Sequence, residues 1–467
     1  MTAVGAQPAA QPTSTPAPGL TSLPPATPES QGVPSGALLA LVDRLEGQGS
    51  DPHALAVARH GHVLTSGAWA PYRLQDAALV YSVSKTVLQA AVGFAVDEGL
   101  LDLDAPIAGY FPEIAAPGRS ATMRVRDLLA MATGHDADVV DPIFGPDPVS
   151  ALLAVEPEHA TGTHFTYNQA APFLLSAAIT RASGQGLGEY LGPRLFAPLG
   201  IGRRWWTGAG ELDLGFTGLH ATVGDILSLG QTMLDGGAFA GAQVLPAGWV
   251  DLASAVHVDT AAPGASPDWA QGYGFMLWRS RHGFRADGAY GQLCLVVPEA
   301  DLVVALTSAT VDVQAELDAV WELLPELSAQ PLPADPEALD ALTTRLGAAE
   351  VPLTPATSTD VYARGTVRPD GSGWVVDLDG LTFAVGSQEW RRTHVPVGSA
   401  VVPVAARGRL TDDGGWEAAA VVTSSPHRLV LRALPGGDVV EARWHVTPLR
   451  TDQLRDLAVP EWAAGAL

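Results

Sequence analysis

Tyr81-Ser82-Val83-Ser84-Lys85-Thr86 opens a stretch in which Leu88, Ala91, Val92, Ala95 and Val96 recur at helical spacing, until Gly99 stops it. Residues three apart on a helix share a face, so Ser82 and Lys85 address the same space. A serine hydroxyl is a poor nucleophile until a base takes its proton, and a neutral amine beside it is such a base. Free lysine, with a pKa of about 10.4, is the wrong tool at neutral pH. Burial lowers that value by several units, whereas arginine stays charged under the same pressure. Composition sharpens the point. Of the 26 basic residues in this 467-residue chain, 25 are arginine, and Lys85 is the one lysine. A helix N-terminus at Ser82 also places its backbone N–H where developing negative charge is stabilised.

Outward from this helix the pattern alternates between strands and helices. Ala37–Leu45 reads as a helix on Leu38, Leu41, Val42 and Leu45. His53–Val57 and Val63–Trp69 read as a hairpin turning at His60-Gly61. Further helices are expected at Val125–Ala132, Ala170–Ala182 and Thr222–Leu234, and strands at Gln292–Val297 and Leu302–Ser308. Strands at the start, helices in the middle and strands at the end predict an α+β arrangement, with a sheet whose edges come from both termini.

Residues 1–23 are rich in Pro, Ala and Thr and read as a disordered tail, with no basic segment leading into an apolar one. The domain that follows is expected over 24–328. A Pro- and Ala-rich linker with one short helix spans 329–355. Beyond it, Val440–Val446 alternates apolar and polar residues, and Gly-rich turns at 370–373, 412–415 and 435–437 space further strands. An all-β sandwich or barrel is expected over 356–450, then a tail over 451–467.

The charge balance excludes some partners. Fifty acidic residues against 26 basic give −24, which argues against nucleic acid or an anionic membrane. No run of 18 apolar residues occurs, so no membrane span is expected. Cys294 stands alone, which rules out an internal disulfide framework and a thiolate metal cluster. With one cysteine and no signal segment, a cytoplasmic location is the expectation.

Two later stretches belong with Ser82 and Lys85. Gly162-Thr163-His164-Phe165-Thr166-Tyr167-Asn168-Gln169 presents a tyrosine in a polar loop before a helix, suited to shuttling protons beside a lysine. Arg285-Ala286-Asp287-Gly288-Ala289-Tyr290-Gly291-Gln292 is a Gly-rich entry into the strand Gln292–Val297, able to offer a second oxyanion donor. Ser-x-x-Lys, a tyrosine loop and then a Gly-containing strand, in that order, resemble the serine β-lactamase and penicillin-binding-protein superfamily. The likeness is greatest to its class C-like branch of β-lactamases, D-aminopeptidases, esterases and 6-aminohexanoate-dimer hydrolases, and covers about residues 24–328. It implies a β-lactamase-like fold: an antiparallel sheet flanked by helices, plus an all-helical region. The trailing β module resembles the lipocalin-like extension of some bacterial members.

The resemblance implies Ser82 as acylated nucleophile, Lys85 as its base and Tyr167 as the tyrosine that serves the leaving group. It implies an oxyanion hole from the backbone N–H groups of Ser82 and Ala289, and no cofactor or metal. Two positions depart from the family. Its Y-x-N ends here in Gln169, and its K-T-G or H-x-G strand is here Ala286-Asp287-Gly288, which lacks the cation and hydroxyl that bind a β-lactam carboxylate. Gln169, Asp287, Gly288 and Trp269 are therefore the expected substrate-binding residues. A small ester or linear amide fits such a site better than a β-lactam or a D,D-peptide.

Other candidates have bland readings. His159 and His164 near Glu156 and Glu158 fit no helical metal pattern and read as a solvated loop. Trp269, Tyr273, Phe275 and Trp278 line either the cleft or the core, and Cys294 reads as inert core. The main expectation is a cofactor-free serine hydrolase of the esterase or amidase kind, with no assignment of oligomeric state. The alternative is a non-catalytic or weakly catalytic ligand-binding sensor on the same scaffold.

Overall fold

The computed structural model describes residues 20–354, 356 and 358–465. Most of the expected N-terminal tail, residues 1–19, lies outside the described residues. From Leu20 onward the chain is packed: Leu20 is buried, and its carbonyl oxygen lies where a Cβ on Gly224 would stand.

Six antiparallel strands form the central sheet: β1 (Pro52–Arg59), β2 (His62–Ala68), β3 (Trp278–Arg279), β4 (Phe284–Gly288), β5 (Gln292–Val297) and β6 (Leu302–Ser308). Their order across the sheet is β2-β1-β6-β5-β4-β3. The alternation of side chains divides the strands between two cores. Leu55, Val57, Leu293, Leu295, Val304 and Leu306 face one core, while Ala56, Ala58, Cys294, Val296, Val303 and Ala305 face the other. Both faces are covered, so β5 and β6 read in sequence as unbroken apolar runs.

On the first face lie α1 (Ser35–Gly47), a helix at Val313–Trp321 and another at Pro336–Gly347. The last of these falls in the expected linker, yet it packs as part of the domain, with Leu346 seated over Gly67 of β2. On the second face lies α2 (Val83–Asp97), whose residues 83–95 are all buried. Such a helix is apolar nearly all round because it runs through the core and not along the surface.

The Gly-rich stretch before β5, read as the entry into that strand, is itself mostly strand. β4 pairs with β5 from Phe284↔Val296 to Gly288↔Gln292 and leaves a three-residue turn, Ala289-Tyr290-Gly291. Charged Arg285 and Asp287 sit in this strand and hide its pattern; an ion pair between them lets both be buried.

The C-terminal module is a barrel of eight strands, from Ala363–Asp370 to Val439–Trp444, antiparallel throughout except at one parallel bridge. It closes where Gly386 bridges Arg407. Val376, Phe383, Val402, Ala418, Leu431 and Trp444 are among the side chains that fill its interior. Residues 451–465, expected as a tail, run back across the molecule: Val459–Pro460 pairs with Ala400 and Val401, and the Trp462 ring meets Arg203 and Trp205 of the first domain.

The two domains are joined by buried polar contacts. Arg428 pairs with Asp51, and His445 reaches the same carboxylate at 3.2 Å. Tyr72 O–H donates to the Ser425 carbonyl at 3.0 Å, and the Leu79 N–H donates to Ser424 at 2.9 Å. No helix among the described residues is long and apolar enough to cross a membrane.

Candidate active site

The segment entering α2 places Ser82. Val80 N–H donates to the Leu219 carbonyl at 3.0 Å, and Tyr81 then turns through the left-handed region at φ 46°. Ser82 follows as the N-cap of α2 and remains half exposed, while its neighbours from Val83 to Ala95 are buried. One turn on, Lys85 is 1% exposed. Its Nζ lies 2.8 Å from Ser82 Oγ and 2.9 Å from the Phe216 carbonyl oxygen. The expected facing of Ser82 and Lys85 is present in the structure.

Burial lowers the Lys85 pKa to about 7, against the pull of Asp138 and Asp287, whose charges favour the ammonium. Among the described residues no carboxylate stands within ion-pair distance of it. A neutral amine here has one lone pair and two N–H groups. The Phe216 carbonyl can only accept, so it takes an N–H and leaves the lone pair free for the serine side.

Tyr167 arrives from the loop before the helix Ala170–Ser183. Asn168 fixes that loop: buried, it accepts from Ala170 N–H at 2.9 Å and from Val139 N–H at 3.3 Å. The Tyr167 ring lies 4.7 Å from Lys85 Nζ and stacks on Trp278 at 5.7 Å. Burial raises the Tyr167 pKa, and a hydrogen bond with Ser82 works in the opposite direction. Ser82, Lys85 and Tyr167 thus converge from two separate segments.

Gly288, at the end of β4, brings the third segment in. A Cβ there would stand 2.4 Å from the Val80 carbonyl oxygen and 3.2 Å from Ser82 N. Only glycine permits this approach, and it sets the turn carrying Ala289 against the turn carrying Ser82.

Asp287 does not stand as an open negative charge. Its Oδ2 accepts from Arg285 Nε at 2.8 Å, and the pair is largely buried. Burial raises its carboxyl pKa, and the guanidinium opposes this. Arg285 is itself fully buried, with Nη1 donating to the Asp268 carbonyl and to Ser280 Oγ. Trp269 stands 4.4 Å over that guanidinium, so its ring covers the arginine at the edge of the cleft. Gln169 caps the helix after Tyr167; its N–H donates to Asp138 Oδ1 at 2.6 Å, while its Oε1 is buried with no partner among the described residues.

The aromatic group divides. Trp278 backs Tyr167, whereas Phe275 is core, stacked on His257 at 3.9 Å. Cys294 is buried, and burial pushes its thiol up to about 12. Phe216 and Asp138 were missed by sequence reading; a backbone carbonyl leaves no mark in a sequence, and Asp138 sits in an unpatterned loop.

One group holds metal-ligand atoms together. Asp136 Oδ1 lies 2.5 Å from His159 Nε2 and 3.5 Å from His164 Nε2, and the two imidazoles stack at 4.2 Å. Metal-binding imidazoles have their second nitrogen anchored by another group. Among the described residues neither Nδ1 has such an anchor, and the trio is a surface clasp between two loops.

Comparison with known proteins gives the family of the first domain. A family model described as beta-lactamase matches residues 40–324. The 6-aminohexanoate-dimer hydrolase of Paenarthrobacter ureafaciens is 28% identical over 320 residues, 62% of this chain and 81% of its own. Among solved structures, a family VIII carboxylesterase superposes with a TM-score of 0.51 at 16% identity, over 64% of this chain and 99% of its own. SurE with D-Leu superposes with a TM-score of 0.52 at 21% identity, over 87% of this chain and 98% of its own, a span that reaches past the first domain into the barrel. The chain belongs to the β-lactamase family of serine hydrolases.

Proposed function

We propose that this protein hydrolyses small esters or linear amides through an acyl-enzyme on Ser82. The observation that carries the reading is the Lys85 amine, buried, 2.8 Å from Ser82 Oγ and with its pKa lowered to about 7. In that state Nζ takes the Ser82 proton as Oγ attacks the carbonyl carbon. The oxyanion that forms is held by the backbone N–H groups of Ser82 and Ala289. Tyr167 passes the proton to the leaving alkoxide or amine. Water then attacks the acyl-enzyme with the same groups in reversed roles, releasing the acid and restoring Ser82.

The substrate class follows from the wall of the cleft. The cation and hydroxyl that hold a β-lactam carboxylate in relatives are replaced by Ala286 and Asp287, and Asp287 is already paired with Arg285. Esters and uncharged linear amides need no such anchor. The hydrolase named for 6-aminohexanoate dimer, a linear amide, is similar over most of its length and supports the amide arm of this reading.

Intact-mass analysis after treatment with a fluorophosphonate tests it. One adduct is expected, on Ser82, and none in Ser82→Ala. A folded protein left unmodified at Ser82 would sink the reading. A panel of p-nitrophenyl esters, linear amides, β-lactams and D-amino-acid peptides then ranks the substrates, with esters and amides expected first.

A further inference from the structure

Two bulky residues stand in left-handed backbone geometry beside the oxyanion donors: Tyr81 at φ 46°, just before Ser82, and Tyr290 at φ 66°, just after Ala289. Such geometry is unfavourable for a side chain of this size and persists where its surroundings hold it. Both side chains are held by the barrel. Tyr81 Oη lies 2.6 Å from His427 Nε2, and Tyr290 O–H donates to the Thr447 carbonyl at 2.6 Å.

The direction of the first bond is fixed by the second nitrogen of His427. Nδ1 lies 2.9 Å from the Val446 carbonyl oxygen. A carbonyl only accepts, so Nδ1 carries the proton and Nε2 accepts from Tyr81. Burial lowers the His427 pKa to about 4 and keeps the ring neutral in that tautomer at ordinary pH. The three rings also pack edge to face, Tyr81 with Tyr290 at 5.6 Å, Tyr81 with His427 at 5.9 Å and Tyr290 with His427 at 5.4 Å. Two residues ahead of Tyr81, the Leu79 N–H is held by the barrel's Ser424 carbonyl.

The first domain braces one turn from inside as well. Gln292 Nε2 donates to the carbonyls of Ala289 and Tyr290, and Ser308 Oγ donates to that of Tyr290. The outer brace of both turns belongs to the barrel.

We propose that the C-terminal barrel is a working part of the active site: through His427 and Thr447 it holds the two tyrosine turns that aim the Ser82 and Ala289 N–H groups at the oxyanion. This rests on the reading of Ser82 as nucleophile. Tyr81, Tyr290 and His427 are positioning residues, and their value lies in donors that need not reorganise when charge develops.

The test uses the full-length protein and follows fluorophosphonate labelling of Ser82, with phenylboronic acid as a second probe, because its tetrahedral adduct places an oxygen in the same hole. Tyr81→Phe and His427→Leu are each expected to lower the maximal labelling rate about tenfold, with half-saturation within twofold. Phenylboronic acid should weaken by a similar factor. The double variant should fall no further than Tyr81→Phe, which removes the bond to His427 together with the hydroxyl's bond to the Leu449 backbone. His427→Gln, which can accept from Tyr81 and donate to Val446, should recover most of the rate. Tyr290→Phe removes one oxygen from a half-buried ring and serves if His427→Leu does not fold.

A rate within threefold of the unchanged protein in both Tyr81→Phe and Tyr290→Phe overturns the proposal, as does a loss carried by half-saturation alone. Failure of the underlying reading looks different: the unchanged protein would then take no label at Ser82, whatever the tyrosines do.

Discussion

The floor and the wall of the cleft each bury a cation, and they treat it in opposite ways. On the floor, Lys85 is 1% exposed and, among the described residues, has only neutral oxygens, of Ser82 and Phe216, within hydrogen-bond reach. On the wall, Arg285 is just as buried but is bonded to Asp287, covered by Trp269 and tied to the Asp268 carbonyl. Burial without a counter-charge makes a group that loses its proton near neutrality; burial with one makes a fixed charge. Under the proposed function, residue type follows the duty of each position, with lysine where the cation is to titrate and arginine where it is not.

The hardest blow to this comparison is Lys85→Arg. It keeps the charge and removes the titration, and turnover should fall by about 10³-fold, the range of a lost general base. Activity retained within tenfold would mean that the floor cation needs only its charge. The measurement is kcat/KM on the substrate the panel selects.

The wall should answer in stability. Arg285→Met strands a buried carboxylate and should cost about 3–5 kcal/mol in denaturant unfolding. The expectation is the lower end, because burial already raises the Asp287 pKa and protonation relieves it. Arg285→Met with Asp287→Leu should regain most of the loss. If the double variant is no better than the single, the arginine's stacking on Trp269 mattered more than its charge.

The smallest effect is graded, and pH reads it. With the Lys85 pKa lowered to about 7 and the neutral amine as the active form, kcat/KM should fall tenfold per pH unit below about 7 and level off above it. The unfolded chain returns Lys85 to its ordinary 10.5, so between about 7 and 10.5 the unfolded state binds more protons than the folded one. Stability from this group therefore rises with pH across that window, and its cost is fully present below it. A flat rate profile between pH 5 and 8 would remove Lys85 from the role of base.

Much of this was legible in the sequence, and the limits have physical causes. β5 and β6 begin and end where the apolar runs do, because both faces of those strands are buried. Ser82 and Lys85 are joined by helix periodicity, a rule local enough to read by eye. β4 was visible only through the resemblance, because Arg285 and Asp287 break the apolar run that marks a buried strand, and the ion pair between them is what lets them lie there. The barrel's part in the site was hidden: Tyr81 and His427 are 346 residues apart, and neither carries a motif. Periodicity reports a residue's own element, and says nothing of which distant turn will be bonded to it.

The solitary lysine has one more consequence. As the chain's one lysine, buried inside α2, Lys85 is the single place where a lysine-cutting protease can act. It can do so only when α2 comes away from its neighbours. The fold therefore carries a built-in reporter of its own opening: a single cut after residue 85, whose rate follows the population in which the centre of the first domain has come apart.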